Sequence, residues 1–200
     1  MESSDRKAEI LDASMKMVCE HGLSSFTTKK VASYMGISDS LIYKYFVSKE
    51  KLLYSCFEVV HRKVAALMEQ VINTPMTAEI SEVEFIKRMW YSYFNLLVEE
   101  DYRTIFYFSY RDSKYIDTVL EHNYEVVNSY FSEFAGMVDM FDNKYKIFTR
   151  VDSHFVWTYI LDTTLMFAKR TIVGDLPKSS KNTDDIWTLI FGGICGIINI

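Results

Sequence analysis

Two short helical segments joined by a glycine turn constrain the fold of this chain more than any other feature. Thr27 is a typical N-cap residue for a helix over Thr28–Met35, and Gly36 is a natural stop because glycine readily adopts the left-handed conformation. Ser38 is a suitable N-cap for a second helix, Asp39–Tyr45. The four-residue turn between them has the length and the glycine of a helix-turn-helix, so the pattern predicts a bent helix pair.

The rest of the chain also favours helices. It has 200 residues with only 2 Pro and 7 Gly, against 14 Phe, 14 Tyr and 10 Met, so breakers are few and long side chains suited to helix faces are many. Apolar residues recur at intervals of three and four, which predicts an all-α fold of about nine helices. The expected ranges are 5–21, 28–35, 39–45, 48–72, 81–99, 101–110, 114–138, 143–172 and a last helix capped by Thr183.

Two local sequence signals indicate where helices begin and end in the middle of the chain. Ser81 with Glu84 matches a capping box in front of an aromatic-rich helix. Asn73–Pro75 breaks the preceding helix and is the best candidate for a hinge. No internal repeat or low-complexity segment interrupts the pattern.

The charges are distributed unevenly. The chain carries a net charge of −5, but residues 1–63 sum to +2 and residues 64–200 to −7. Between Thr27 and Lys49 there are four lysines and a single acidic residue. A basic end on an acidic body is typical of a protein that touches nucleic acid with one end only.

Residues 26–53 resemble the DNA-binding signature of the tetracycline-repressor (TetR) family. The matching positions are Val31-Ala32, Gly36-Ile37-Ser38, Ile42-Tyr43, Tyr45-Phe46 and Ser48-Lys49-Glu50-Lys51-Leu52-Leu53. The resemblance implies a helix-turn-helix DNA-binding domain at 1–50, linked through helix 48–72, and an effector-binding and dimerisation domain at 51–200. It implies a cytoplasmic homodimer that leaves its operator when a small hydrophobic or aromatic effector binds, most often a repressor. An activator or a ligand-independent regulator of the same fold is the alternative.

The predicted DNA contacts follow from groove geometry. A major groove admits one helix, which must present short polar side chains to base edges near its N-terminus. Backbone-contacting groups before and after it fix the register on the duplex. The predicted contact residues are Thr27, Thr28, Lys29, Ser38, Asp39, Ser40, Tyr43, Lys44, Tyr45 and Lys49, and the family resemblance assigns this role to Thr27, Tyr43 and Lys49 in particular.

Asp39 and Ser40 depart from the family pattern, which usually has a basic or neutral residue and often a glycine at these two places. Asp39 has two equally good interpretations. Its carboxylate can accept a hydrogen bond from a cytosine amine, or it can complement the dipole at the start of its helix. A carboxylate near phosphates lowers affinity in either case.

Aromatic residues crowd the segment between Phe85 and Phe134, and many of them are tyrosines. A buried tyrosine needs a partner for its hydroxyl, which suits a cavity with apolar walls and scattered polar contacts, although such residues also simply fill a core. The resemblance places the effector site here. The predicted contacts are Trp90, Tyr93, Phe94, Tyr107, Tyr110 and Tyr124.

The last two helices carry more apolar surface than the edge of a monomer needs. In the TetR family they pair with their copies in a four-helix bundle, and a buried core helix is the alternative. The predicted interface residues are Trp157, Leu161, Leu165, Trp187, Phe191, Gly192 and Cys195.

Other classes of function have little support. No GxSxG, P-loop or HExxH motif is present, so neither catalytic residues nor a cofactor is expected. The scattered His and carboxylates near Asp117 lack metal-ligand spacing, so no metal is expected. Three widely spaced cysteines favour free thiols, and an uncharged run of 15 residues at the end is too short for a membrane span.

Overall fold

The computed structural model describes residues 2–72, 81–116 and 151–195, and all regular structure in these ranges is helical. The predicted all-α fold is confirmed. The helices are α1 Glu2–His21, α2 Thr28–Met35, α3 Asp39–Tyr45, α4 Lys49–Ile72, α5 Glu82–Glu99, α6 Tyr102–Arg111, α7 Ser153–Ile172 and α8 Ser180–Cys195, with a 3-10 turn at Leu23–Ser25. The proposed hinge at Asn73–Pro75 and most of the predicted helix 114–138 lie outside the described residues.

The chain forms two compact units. The first combines residues 1–64 with 100–124, and the second combines 65–99 with 125–200. Helix α4 therefore begins in the first unit and ends in the second. The domain boundary predicted at residue 50 separates the DNA-binding part of the chain from the rest. A division by compactness does not test it, so it stays a prediction.

The first unit is built around the apolar faces of α1, α4 and α6. Ile10, Leu52 and Phe106 are completely buried there. The Cys56 thiol donates a hydrogen bond to the Leu11 carbonyl oxygen at 3.6 Å, and burial raises the pKa of that thiol. Cys56 is therefore a core residue and not a reactive one.

A polar network ties α1 to α6 on the surface of this unit. Asp12 accepts hydrogen bonds from the Tyr102 hydroxyl and from Arg103, the latter at 2.7 Å, and pairs with Lys16 at 2.9 Å. Burial acts to raise the pKa of Asp12, but the hydrogen bonds from Tyr102 and Lys16 outweigh it and lower that pKa. Arg103 in turn approaches Glu100 at 3.6 Å.

The second unit packs α5, α7 and α8 around tryptophans. The Trp90 ring stacks on Phe94 at 5.1 Å between centroids and lies 5.5 Å from Trp187. Its indole N–H donates to the Thr164 hydroxyl at 2.9 Å, so the one polar atom of the ring is satisfied in the core.

Two predicted helix starts are wrong. Val151 and Asp152 are not helical, so α7 begins at Ser153 and does not run on from residue 143. Helix α8 starts one turn before its predicted cap, because the Ser179 hydroxyl accepts the Asn182 N–H at 3.2 Å. The Thr183 hydroxyl instead bonds back to the Ser179 carbonyl oxygen. A serine one turn upstream competes successfully for the same role.

Only one of the two interactions of the predicted capping box of α5 is formed. The Ser81 hydroxyl accepts the Glu84 N–H at 3.2 Å, as expected. The Glu84 carboxylate pairs with Arg88 at 2.9 Å, one turn further along the helix. An i,i+4 ion pair on the exposed face thus takes the carboxylate that the box would use.

Candidate DNA-binding interface

The turn between α2 and α3 has a defined geometry. Gly36 adopts φ +66°, and the Ile37 N–H reaches back to the Ala32 carbonyl oxygen at 3.0 Å, which is the Schellman arrangement. A side chain at Gly36 would be strained at this φ even though the space around it is open. Ser38 then caps α3 by accepting the Leu41 N–H at 3.3 Å. Both predicted helices have the expected bounds.

Apolar residues of the helix pair hold α3 in place. Ile42 and Phe46 are buried at 0% and 2% exposure, and Val31 and Ala32 of α2 are buried with them. This leaves the opposite side of α3 free. Six of the predicted contact residues are exposed, namely Thr27, Lys29, Ser38, Ser40, Tyr43 and Lys44, and three are half-buried, namely Asp39, Tyr45 and Lys49.

Thr28 differs from the other predicted contacts because its side chain is buried at 6% exposure. Its hydroxyl lies 3.2 Å from the Tyr43 hydroxyl, so the two side chains share a hydrogen bond. The contact joins the start of α2 to the exposed face of α3. Thr28 is thus placed to orient Tyr43, and its buried side chain does not offer a surface contact.

Ser38, Asp39 and Ser40 form a polar cluster at the start of α3. The hydroxyls of Ser38 and Ser40 are 2.9 Å apart. One carboxylate oxygen of Asp39 is buried and has no hydrogen-bond partner among the described residues. Position 39 is also the first residue of the helix, so both interpretations of its charge stay open.

Lys49 is the first residue of α4 and its ammonium group lies against aromatic rings. Its Nζ atom is 5.8 Å from the centroid of the Phe26 ring and 5.7 Å from that of Tyr115. Cation–π contacts at this distance restrict a flexible lysine. Sequence reasoning missed Tyr115, because nothing local in the sequence links residues 66 positions apart.

The residues predicted to bind an effector divide between the two units. Tyr107 and Tyr110 are buried in the first, where Phe57 stacks on them at 5.1 and 5.0 Å. Trp90, Tyr93 and Phe94 are buried in the second. Tyr124 lies outside the described residues. Most of these aromatics therefore fill a core within their own unit.

The second unit contains a cavity of about 310 Å³ beside Phe94, the one predicted effector residue that lines it. The wall combines apolar and polar groups: Tyr91, Phe94, Asn95, Val98, Glu99, Thr171, Lys178, Ser179, Ser180 and Thr183. The Tyr91 hydroxyl donates to Asp184 next to it, and burial together with that hydrogen bond raises the pKa of Tyr91. The volume is within the range of small-molecule sites.

The predicted interface residues lie on different sides of α7 and α8. Leu165 and Trp187 are buried within the second unit at 2% and 9% exposure, so their assignment to a free surface is wrong. Both helices are apolar on more than one side, which hides the outward face from a periodicity argument. Leu161 and Phe191 are half-buried, Gly192 is exposed, and the side chains of Trp157 and Cys195 lie outside the described residues.

A different apolar surface is exposed on these helices. Phe155, Tyr159 and Met166 follow one face of α7 at 68%, 41% and 39% exposure, and Leu189 is 63% exposed on α8. The two helices meet at Gly193, where an added Cβ would lie 2.7 Å from the Tyr159 hydroxyl. Glycine at that position lets the tyrosine cross α8 closely. We call these four apolar residues the α7–α8 face.

Within residues 2–72, 81–116 and 151–195 no three His, Cys, Asp or Glu side chains come together as metal ligands. Nor is any helix in these ranges both long and apolar enough to cross a bilayer.

Comparisons with known proteins agree with this geometry. Residues 10–56 match the model of bacterial regulatory proteins of the tetR family. The fatty acid metabolism regulator protein of Bacillus subtilis is 32% identical over 71 residues, which are 36% of this chain and 37% of that protein. The match thus spans little more than a third of that relative.

Solved structures share the fold over nearly the whole chain. A TetR family transcription regulator from Marinobacter aquaeolei has a TM-score of 0.76 at 19% identity, covering 99% of this chain and 98% of that one. The regulator FadR from Bacillus subtilis, solved in complex with stearoyl-CoA, has a TM-score of 0.62 at 21% identity, covering 96% and 97%.

The family model covers the helix-turn-helix described above, and the shared fold extends to α8. That family model describes bacterial regulatory proteins. Residues 10–56 therefore match the tetR family of bacterial regulatory proteins, and the chain as a whole shares its fold with solved TetR family regulators.

Proposed function

We propose that this protein is a cytoplasmic transcriptional repressor that binds operator DNA as a homodimer. One observation carries the proposal: the second helix of a capped helix pair is fixed by Ile42 and Phe46 and presents Ser40, Tyr43 and Lys44 to solvent. A helix held by its apolar side and polar on the other can enter a major groove.

The geometry supports a division of labour among the predicted contacts. Ser38, Asp39 and Ser40 stand at the start of α3, where side chains reach base edges. Thr27, Lys29 and Lys49 flank that helix and suit phosphates. Tyr43, Lys44 and Tyr45 follow along α3, and Thr28 orients Tyr43 through their shared hydrogen bond.

Replacing Lys49 tests the phosphate role. We expect Lys49→Gln to weaken binding to every duplex and to lower the slope of log affinity against log salt by about 0.9, since one phosphate contact is lost. Fluorescence anisotropy with a selected operator and an unrelated 30-base-pair duplex across a salt series measures both. Lys181→Gln, an exposed lysine of α8, is the matched control. Equal slopes for both variants contradict the assignment.

Base recognition has its own signature. Asp39→Ala and Ser40→Ala are expected to change which sequences a random duplex library yields, by about 1–3 kcal/mol at the affected base pair, while leaving the salt slope nearly unchanged. An unaltered consensus for both variants removes these residues from the base-reading set. Failure of the unsubstituted protein to bind any duplex at low salt overturns the proposed function as a whole.

The homodimer is proposed on the α7–α8 face. Four large side chains are exposed there, and the same face on a second copy is equally apolar, so the two are complementary under two-fold symmetry. The helix-turn-helix units of the two copies would then enter successive major grooves about 34–36 Å apart.

The effector is proposed to occupy the cavity of the second unit. Phe94 and Val98 offer an apolar wall, and two charged groups line the cavity, Lys178 and Glu99. We take Lys178 as the partner for an acidic head on a hydrophobic or aromatic molecule. FadR from Bacillus subtilis, of the same fold, was solved in complex with stearoyl-CoA, which is also apolar with an anionic end. A ligand-independent regulator would leave this cavity without a role.

Octanoate, benzoate and octanol are suitable probes of the cavity. We expect the acids to raise the unfolding temperature and to weaken the DNA complex, with about 2.7 kcal/mol of stabilisation at a hundredfold excess over the dissociation constant. Lys178→Gln should abolish the preference for acids over octanol, whereas Lys181→Gln should keep it. No stabilisation by any of the three at millimolar concentration counts against the site and favours the ligand-independent alternative.

A further inference from the structure

The turn that follows α6 brings a second lysine close to the start of α4. Lys114 is exposed, and its Nζ atom lies 5.9 Å from the centroid of the Tyr115 ring. Lys49 lies 5.7 Å from the same ring. The two ammonium groups are therefore within about 12 Å of each other, the sum of their distances to the ring. Each strand of a duplex carries a phosphate about every 3.4 Å of helix axis, so this distance spans only a few phosphates.

Tyr115 is held firmly enough to fix this arrangement. Its N–H donates to the Ser113 hydroxyl at 3.2 Å, and its carbonyl oxygen accepts a hydrogen bond from Tyr110 at 3.4 Å. The ring also stacks on Tyr110, at 6.2 Å and 17°. Because Tyr110 is itself buried in the first unit at 2% exposure, the turn is anchored in the core.

The charges of the turn favour an anionic partner. Arg111 and Asp112 pair with each other at 3.3 Å and cancel locally. Lys114 is exposed and forms no ion pair with any other described residue, and its ammonium group shares the Tyr115 ring with that of Lys49. An exposed lysine so close to another lysine tolerates the mutual repulsion best where an anion lies near both.

We propose that the segment 113–116 extends the DNA-binding surface beyond the helix-turn-helix. Lys114 contacts a backbone phosphate near the one that Lys49 contacts, and Tyr115 is the positioning residue for both lysines. The proposal rests on the proposed function, since it takes duplex DNA as the partner. It adds a contact from a segment that lies outside the residues matched by the family model, 10–56.

Salt-dependent binding to a random 30-base-pair duplex tests the Lys114 contact directly. Lys114→Gln is expected to lower the slope of log affinity against log salt by about 0.9, and to weaken binding at 0.1 M salt between roughly three- and tenfold. The double variant Lys49→Gln/Lys114→Gln should lower the slope by about twice as much. Lys181→Gln again supplies a control with the same loss of charge.

The positioning role of Tyr115 is tested by asking whether its effect on DNA binding depends on Lys49 and Lys114. Tyr115→Leu should weaken binding about two- to fivefold, the range of an exposed cation–π contact, and the loss should shrink in the Lys49→Gln/Lys114→Gln background. Tyr115→Phe keeps the ring and should bind like the unsubstituted protein. A loss of equal size in both backgrounds would mean that Tyr115 acts only on folding, and it overturns the positioning role.

The outcomes separate this inference from the proposed function. If the unsubstituted protein binds DNA and Lys49→Gln lowers the slope while Lys114→Gln behaves like Lys181→Gln, the extension is wrong and the helix-turn-helix assignment stands. If neither the unsubstituted protein nor any of the variants binds duplex DNA, the proposed function itself has failed.

Discussion

Leu189→Glu is expected to convert the proposed homodimer into a monomer and to reduce operator affinity about 10²- to 10⁴-fold. Leu189 is 63% exposed in a single chain, so the substitution leaves the core of the second unit intact. In the proposed dimer the glutamate would be buried against apolar side chains of the other copy, at a large desolvation cost. A monomer carries only one helix-turn-helix. It therefore loses the gain in affinity that a dimer obtains from binding two linked half-sites at once.

Light scattering and a gel shift on a selected operator measure the two effects. Val83→Glu is the matched control because Val83 is also an exposed apolar residue, at 45%, but lies on α5. A second variant, Phe155→Glu, attacks the same face from α7. If Leu189→Glu and Phe155→Glu both remain dimers at micromolar concentration, the α7–α8 face is not the interface, and the dimer must use another surface.

The helix-turn-helix could be predicted residue by residue, because its determinants are local. Thr27, Gly36 and Ser38 each act within four positions of their own backbone, through two hydroxyl caps and one positive φ. Sequence patterns report such interactions directly. For the same reason, both helices have the predicted bounds.

Long-range contacts set the limit of prediction elsewhere. Lys49 and Tyr115 are brought together by packing of the first unit, and no pattern in either segment announces it. Leu165 and Trp187 were predicted at a surface because α7 and α8 are apolar on several sides, and only the fold shows which side is covered. The aromatic residues near Tyr93 and Tyr107 could likewise be recognised as buried, but not as members of two separate units.

His61 is expected to make the first unit acid-sensitive. The imidazole is buried at 4% exposure, its ring stacks on Phe57 at 5.1 Å, and its Nδ1 atom lies 3.2 Å from the Tyr107 hydroxyl. Burial lowers the pKa of His61 to about 4 and raises that of Tyr107 to about 12, so the phenol stays protonated and can donate to a neutral imidazole. The folded state thus holds His61 without charge.

The sign of the effect follows from proton linkage. In the unfolded chain a histidine titrates near pH 6.5, whereas in the folded protein it does so near 4, so between these values the unfolded state binds one more proton. The free energy of unfolding therefore falls as the pH is lowered from 6.5 to 4, by about 3 kcal/mol in all. Asp12, whose pKa is lowered, adds to the loss only at the acid end of this window.

Urea unfolding between pH 7.5 and 4, followed by far-ultraviolet circular dichroism, measures this dependence. All three tryptophans, Trp90, Trp157 and Trp187, belong to the second unit, so their fluorescence would not report on His61. His61→Gln removes the titrating group and should flatten the decline, while His21→Gln, at an exposed position, should retain it. A decline of equal size in His61→Gln would show that the buried imidazole is not its source, because no proton uptake at position 61 is then available to drive it.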